Sequence, residues 1–167
     1  MPRKLSACRL FLPLFHSSII LTGSYAGLVM AEKYYVDTSI WRDYYEDRSD
    51  GTRPLGEFAF QFFRYCIESE SIILYSNLIL EELGTAYSGD EIKRIMGIVS
   101  GLLEKVENPG EQQNSDAKRL KRKFNVPFAD AMHAVLARDN DAVLVSRDRH
   151  FNELREVAII KCPEEVT

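Results

Sequence analysis

Tyr34-Tyr35-Val36-Asp37-Thr38-Ser39-Ile40-Trp41 sets the reading of this chain. Tyr34 to Val36 is a short aromatic and β-branched run, the composition of a buried strand. It ends on a carboxylate followed by two hydroxyl residues. In open α/β sheets ligands sit in the crevice beyond the carboxyl ends of the strands, so an Asp placed there is both rigidly held and accessible. Asp37 is therefore read as the first member of an acidic, metal-holding pocket. Taken alone it has a blander role, as the N-cap of a short helix carrying Ile40, Trp41, Tyr44 and Tyr45.

Working outward, Leu55, Phe58, Ala59, Phe62, Phe63 and Cys66 follow helical spacing after the turn-forming segment 47–54. Phe60, Tyr65 and Ile67 lie off that stripe, which favours a protein–protein face over deep burial on all sides. Ser71 to Tyr75 reads as a second strand, and Ser76 as the N-cap of a helix with Leu80, Leu83, Ala86 and Tyr87 apolar. Asp90 is expected to cap the next helix, with Ile92, Ile95, Met96, Val99, Leu102 and Leu103 inward. Lys105-Val106-Glu107 is expected as a short edge strand. A polar helix spans 111–124, with Ala117, Leu120 and Phe124 inward. Pro127 suits the first turn of another, running from Phe128 to Ala137. Ala142 to Val145 is a third apolar run and the clearest strand. Val157 to Ile160 is expected to be the last. Strand and helix alternate without hairpin signals, which predicts an α/β fold with a parallel sheet covered by helices on both faces.

At 167 residues the chain is long enough for one core, and 46% hydrophobic with 28% charged residues is ordinary for a globular domain. A net charge of −4 excludes a uniformly basic surface but not a local basic patch. Three cysteines, Cys8, Cys66 and Cys162, with no C-x-x-C spacing argue against a disulfide framework or a zinc site, and fit a reducing, cytoplasmic setting. Residues 1–29 differ from the rest: Arg3, Lys4 and Arg9 precede a short apolar run broken by Pro13, His16, Ser17 and Ser18. This N-terminal extension is read as a non-native start ahead of Met30, in preference to a weak signal-like segment. It is too short and polar to span a bilayer. The folded domain is expected over 30–167.

Asp37 and Asp148 each follow an apolar strand, so a parallel sheet brings both to one rim. Glu82 and Asp130 lie early in helices that can point back at it. At about 5 Å and an effective dielectric of about 20, two ionised carboxylates repel by roughly 3 kcal/mol. Four such groups call for a cation, and an all-oxygen ligand set favours Mg²⁺ or Mn²⁺ over zinc. The competing readings are individually ordinary: macrodipole partners for Glu82 and Asp130, a turn residue for Asp148.

With these residues in view, the chain resembles a PIN-domain ribonuclease of the kind found as VapC-type toxins of toxin–antitoxin pairs. The resemblance rests on Val36-Asp37-Thr38-Ser39-Ile40-Trp41, Ser76 through Glu82-Leu83, Phe128-Ala129-Asp130-Ala131-Met132-His133 and Leu144 through Phe151. These follow in order over about residues 33 to 160. It implies a three-layer α/β/α fold with a central parallel sheet of four to five strands. It also implies a Mg²⁺- or Mn²⁺-dependent endoribonuclease leaving a 5′-phosphate and a 3′-hydroxyl. Asp37 and Asp130 match the acids most directly on the metal, Glu82 the acid of the second motif, and Asp148 the variable fourth acid. Ser39 and Ser146 match hydroxyls that orient the carboxylates. A homodimer and a small antitoxin follow from the same resemblance, with the helix at 55–66 as a contact surface. Two other readings keep the fold: a module that binds RNA or protein without catalysis, and a nuclease of RNA maturation.

Around the acids, Arg147, Arg149 and His150 are placed for phosphate. Lys118, Arg119, Lys121, Arg122 and Lys123 form a basic run that is either a solvated helix face or an RNA backbone contact, with Lys118 and Arg122 as candidates. Glu81 is assigned to a solvated face. His133 reads as a packed histidine more than an RNA contact, and Trp41 and Tyr44 as core more than stacking platforms.

Overall fold

The computed structural model describes residues 31–167, so the extension at 1–29 and Cys8 lie outside the described residues. Five parallel strands form one sheet in the order β3-β2-β1-β4-β5. They are β1 (Lys33–Val36), β2 (Ile72–Tyr75), β3 (Leu103–Lys105), β4 (Val143–Val145) and β5 (Ile160–Lys161). The expected class and the number of strands are both found. β1 is flanked by β2 and β4, with Val36 opposite Val145. The chain therefore leaves β1 in one direction, to β2 and β3, and later returns to its other side. That reversal opens a crevice beyond the carboxyl ends of β1 and β4.

Two helical layers cover the sheet. One contains α1 (Thr38–Glu46), α2 (Leu55–Glu68), α3 (Asn77–Gly84) and α4 (Gly89–Met96); the other contains α5 (Glu111–Phe124) and α6 (Phe128–Asp139). Right-handed crossovers explain the division, because connections running to opposite sides of β1 must pass over opposite faces. The core is aromatic beneath the first layer. Trp41 is fully buried and stacks on Phe63 at 4.7 Å between centroids, while Tyr44 meets the same ring edge-on. Trp41 is a core residue, as expected, and Tyr44 is partly buried and packs against the core. α1 and α2 approach closely at Gly56, where a Cβ would stand 2.7 Å from the backbone of Asp47. α2 buries Ala59, Phe62, Phe63 and Cys66 and leaves Phe60 and Ile67 exposed. Burial pushes the Cys66 thiol up to about 12, so it is an inert packing group.

Several boundaries differ from the sequence expectation. β3 begins two residues early, at Leu103, and its ladder closes when the Val106 amide donates to the Tyr75 carbonyl. β5 begins at Ile160 rather than Val157, because the amides of Val157 and Ala158 bond back to Leu154 in a turn. α4 is capped by Ser88 in a reciprocal box with Glu91, not by Asp90. The helix expected to run on to Leu103 breaks after Met96 into a 3-10 stretch, Gly97–Leu102, whose two glycines disfavour α-helix. Pro127 is the residue before α6 rather than part of its first turn, and Ala86 lies beyond α3 and is exposed. Among the described residues no helix is long and apolar enough to cross a membrane.

Candidate active site

Asp37 caps α1 and lies at the carboxyl rim, directly after β1. The Ser39 amide donates to Oδ2 at 3.3 Å and the Ser146 hydroxyl to the same oxygen at 2.8 Å. The Ser39 hydroxyl donates to it as well. All these donors converge on Oδ2, and Oδ1 accepts no hydrogen bond from the described residues. Ser146 Oγ in turn accepts from the Asp148 amide at 3.0 Å. One serine thus couples the acid after β1 to the acid after β4.

Glu82 reaches the same crevice from α3. Thr38, the residue after Asp37, donates to its Oε2, and His133 Nε2 lies 3.1 Å from its Oε1. Burial pushes the Glu82 carboxyl up, but the His133 and Thr38 bonds outweigh it and hold the group below the usual carboxylate range. His133 is buried in α6, and its Nδ1 lies 2.9 Å from the Tyr35 hydroxyl, which lies 2.7 Å from Ser76 Oγ. Ser76 Oγ also accepts the Ile79 amide as the N-cap of α3. Its own proton is then free for Tyr35. With a neutral His133 protonated on Nε2, Tyr35 can donate to Nδ1 and the ring proton to Glu82.

Asp130 sits in the first turn of α6, whose N-terminus lies at the carboxyl rim. Burial raises its carboxyl pKa, and the neighbouring Asp148 raises it further; Asp37 contributes in the same sense. Its Oδ2 is buried without a hydrogen bond. His150 Nδ1 stands between the two acids, 3.1 Å from Asp130 Oδ2 and 3.3 Å from Asp148 Oδ1. The rim thus resolves into two adjacent trios, Asp37–Glu82–His133 and Asp130–Asp148–His150, each with ligand atoms within 4.8 Å of one another. The sequence suggested four carboxylates without histidine. His133 is already committed through both nitrogens, so the free donors remain mainly carboxylate oxygens. Asp37 Oδ1, and Asp130 Oδ2 with His150 Nδ1 at 3.1 Å, fit a hard divalent cation.

The basic residues divide sharply. Arg147 turns away from the rim: Nε is 3.0 Å from Asp43 Oδ2, Nη1 donates to Glu164 at 2.8 Å, and the guanidinium lies over the Phe58 ring. Asp43 is itself buried, and Arg48 approaches its other oxygen at 3.3 Å. Arg149 is exposed and His150 bridges the acids as described. Lys118 and Arg122 are exposed on α5, Arg119 pairs with Asp116, and Lys123 pairs with Glu156. Glu81 is exposed, as assigned. The His133–Tyr35 chain was the feature that sequence reasoning undervalued; the spacing of His133 three residues after Asp130 was its only signal.

A model of the PIN domain family matches residues 34–157. The chain belongs to the PIN domain family. PIN domains are generally nucleases, and PIN nucleases use a divalent metal. No curated protein matches this PIN domain at a significant level. Solved structures sharing its fold include VapBC2 from Rickettsia felis bound to a DNA fragment from its promoter, with TM-score 0.57, 14% identity and coverage of 78% of this chain and 98% of that one. FitAcB from Neisseria gonorrhoeae gives TM-score 0.53 at 15% identity, covering 78% and 98%. PAE2754 from Pyrobaculum aerophilum gives 0.51 at 21% identity, covering 82% and 95%. At these identities the likeness is one of fold, and the site is argued from the residues above.

Proposed function

We propose that this PIN domain is a Mg²⁺- or Mn²⁺-dependent endoribonuclease and the toxin of a toxin–antitoxin pair. The observation that carries the reading is Asp130, a carboxylate whose buried Oδ2 makes no hydrogen bond of good geometry, only the 3.1 Å contact with His150 Nδ1, and which is crowded by Asp148 and Asp37 where the sheet reverses. Asp37, Asp130, Asp148 and Glu82 would hold the ion. When bound, a divalent ion supplies a lowered water pKa and a clamp for a phosphate oxygen. The chain's own part is orientation. Ser39 and Ser146 occupy one oxygen of Asp37 so that the other faces the crevice, and His133 with Thr38 fixes both oxygens of Glu82. Arg149, at the lip, is free to meet a phosphate, with Lys118 and Arg122 on α5 as outlying backbone contacts.

The toxin assignment is supported by the VapC-like motifs and by VapBC2 and FitAcB among the fold neighbours. A small antitoxin and a second copy of this chain are the proposed partners, and the exposed Phe60 and Ile67 of α2 offer an apolar contact surface for them. The domain proper is taken as residues 30–167, working in the cytoplasm.

The test is incubation of the chain with single-stranded RNA and Mn²⁺. Cleavage leaving 5′-phosphate and 3′-hydroxyl ends, lost in Asp37→Asn and Asp130→Asn, is the expected result. A chain that binds RNA but shows neither cleavage nor Asp130-dependent Mn²⁺ uptake is instead a non-catalytic binding module.

A further inference from the structure

Beside the acids, the carboxyl ends of β4 and β5 and the 3-10 turn Arg149–Leu154 enclose a cavity of about 120 Å³. Arg147, Asp148, Arg149, Asn152, Arg155 and Lys161 contribute to its wall. The charges there do not cancel. Arg147 is neutralised by Asp43 and Glu164. Arg149, Arg155 and Lys161 form no ion pair among the described residues. Asp148 is the only acid in the lining, and its Oδ1 is engaged by His150, accepting the amide at 2.9 Å and lying 3.3 Å from Nδ1.

Three uncompensated cations around a concave site mark the place of an anion. Two are arginines, whose planar forks match phosphate oxygens, and Asn152 adds an amide donor. The position narrows the choice. Asp148 is a shared wall, with the carboxylates on one side of it and the cations on the other. A strand whose reacting phosphate lies at the acids carries its next phosphates along the same rim.

Resting on the nuclease reading above, we propose that this cavity binds a backbone phosphate of the RNA substrate next to the phosphate that is cleaved. Arg155 and Lys161, together with Arg149, are its contacts. The site holds the strand in register with the acids and is independent of the metal.

The measurement is the salt dependence of RNA binding by the full chain carrying Asp130→Asn, in chelator, so that binding is read without cleavage. The probe is a short single-stranded RNA of mixed sequence. Each neutralised phosphate contributes about 0.7 to the slope of log K against log salt for single strands, so Arg155→Gln with Lys161→Gln, which empties one phosphate site, should lower the slope by about 0.7. Arg155→Lys with Lys161→Arg, which keeps both charges, should retain it and guards against a folding defect. An unchanged slope in the Gln pair overturns the proposal. So does a polyglutamate peptide that binds through Arg155 and Lys161 while RNA binding ignores them, which would make the cavity a dock for an acidic protein. Cleavage by the unsubstituted chain with Mn²⁺ is scored separately. Cleavage with an unchanged slope sinks the pocket and spares the nuclease, whereas a reduced slope without cleavage does the reverse.

Discussion

His133 Nε2 lies 3.1 Å from Glu82 Oε1, and this contact ties a buried polar chain beneath the sheet to a carboxylate at its rim. Groups that orient a metal ligand from behind typically change affinity 10- to 100-fold, an order-of-magnitude guide, when removed. His133→Phe should therefore weaken Mn²⁺ binding by about 10-fold or more, measured by calorimetry. Tyr35→Phe, which deletes the hydroxyl 2.9 Å from Nδ1 and keeps the ring, should produce a smaller loss in the same direction. His133→Gln can still donate an amide proton to Glu82 and should recover part of the affinity. Equal Mn²⁺ affinity in all three variants would show that Glu82 is held without this chain.

Asp130 should limit stability as well as serve function. Its raised pKa means that the folded state holds the proton more tightly than the unfolded chain does. The stabilising contribution of the protonated form is complete below about pH 4 and is lost as pH rises through the raised value. At neutral pH, Asp130→Asn should therefore raise the melting temperature by about 2–4 °C, corresponding to about 1 kcal/mol. The gain should shrink on acidification towards the ordinary carboxylate range, and Mn²⁺ should stabilise the unsubstituted chain but not the variant. Thermal unfolding at several pH values checks the sign; a variant less stable at neutral pH would refute it.

Ser146→Ala removes both halves of a bridge, a donor to Asp37 and an acceptor for the Asp148 amide. The loss should be about 1 kcal/mol of stability, the usual net worth of a buried hydrogen bond. Cleavage should fall further than stability suggests, because Asp37 becomes free to turn Oδ1 away from the rim. Comparing kcat with the unfolding free energy separates the two effects.

Arg147 is assigned to structure rather than to RNA. Arg147→Gln leaves the buried Asp43 with only the half-exposed Arg48 as a charged partner. Breaking a buried pair costs about 3–5 kcal/mol, and the remaining partner should reduce this to about 2 kcal/mol. RNA affinity of the folded variant, measured below its melting range, should match that of the unsubstituted chain. A selective loss of RNA binding with stability intact would return Arg147 to the phosphate-binding group.

Much of the fold was legible because its signals are local. Apolar runs ending at Tyr75 and Val145, the cap at Ser76 and the whole of α5 follow from periodicity and short-range hydrogen bonding, which neighbours in the chain settle among themselves. β5 was misplaced for the complementary reason. Val157 to Ile160 reads as a strand, but only the competing turn onto Leu154 and the register with β4 determine where pairing begins.

By itself the sequence determined that Asp37 and Asp148 follow apolar strands and that Asp130 lies early in a helix, because strand composition and helix phase are properties of short segments. Tertiary structure alone decided how those acids are arranged. It split them into two histidine-containing trios, joined Asp37 to Asp148 through Ser146, and set His133 behind Glu82. It also turned Arg147 inward while gathering Arg155 and Lys161 beside Asp148. These are contacts between residues far apart in the chain, and the strength of a charge or hydrogen bond there depends on burial and on partners that no local pattern encodes.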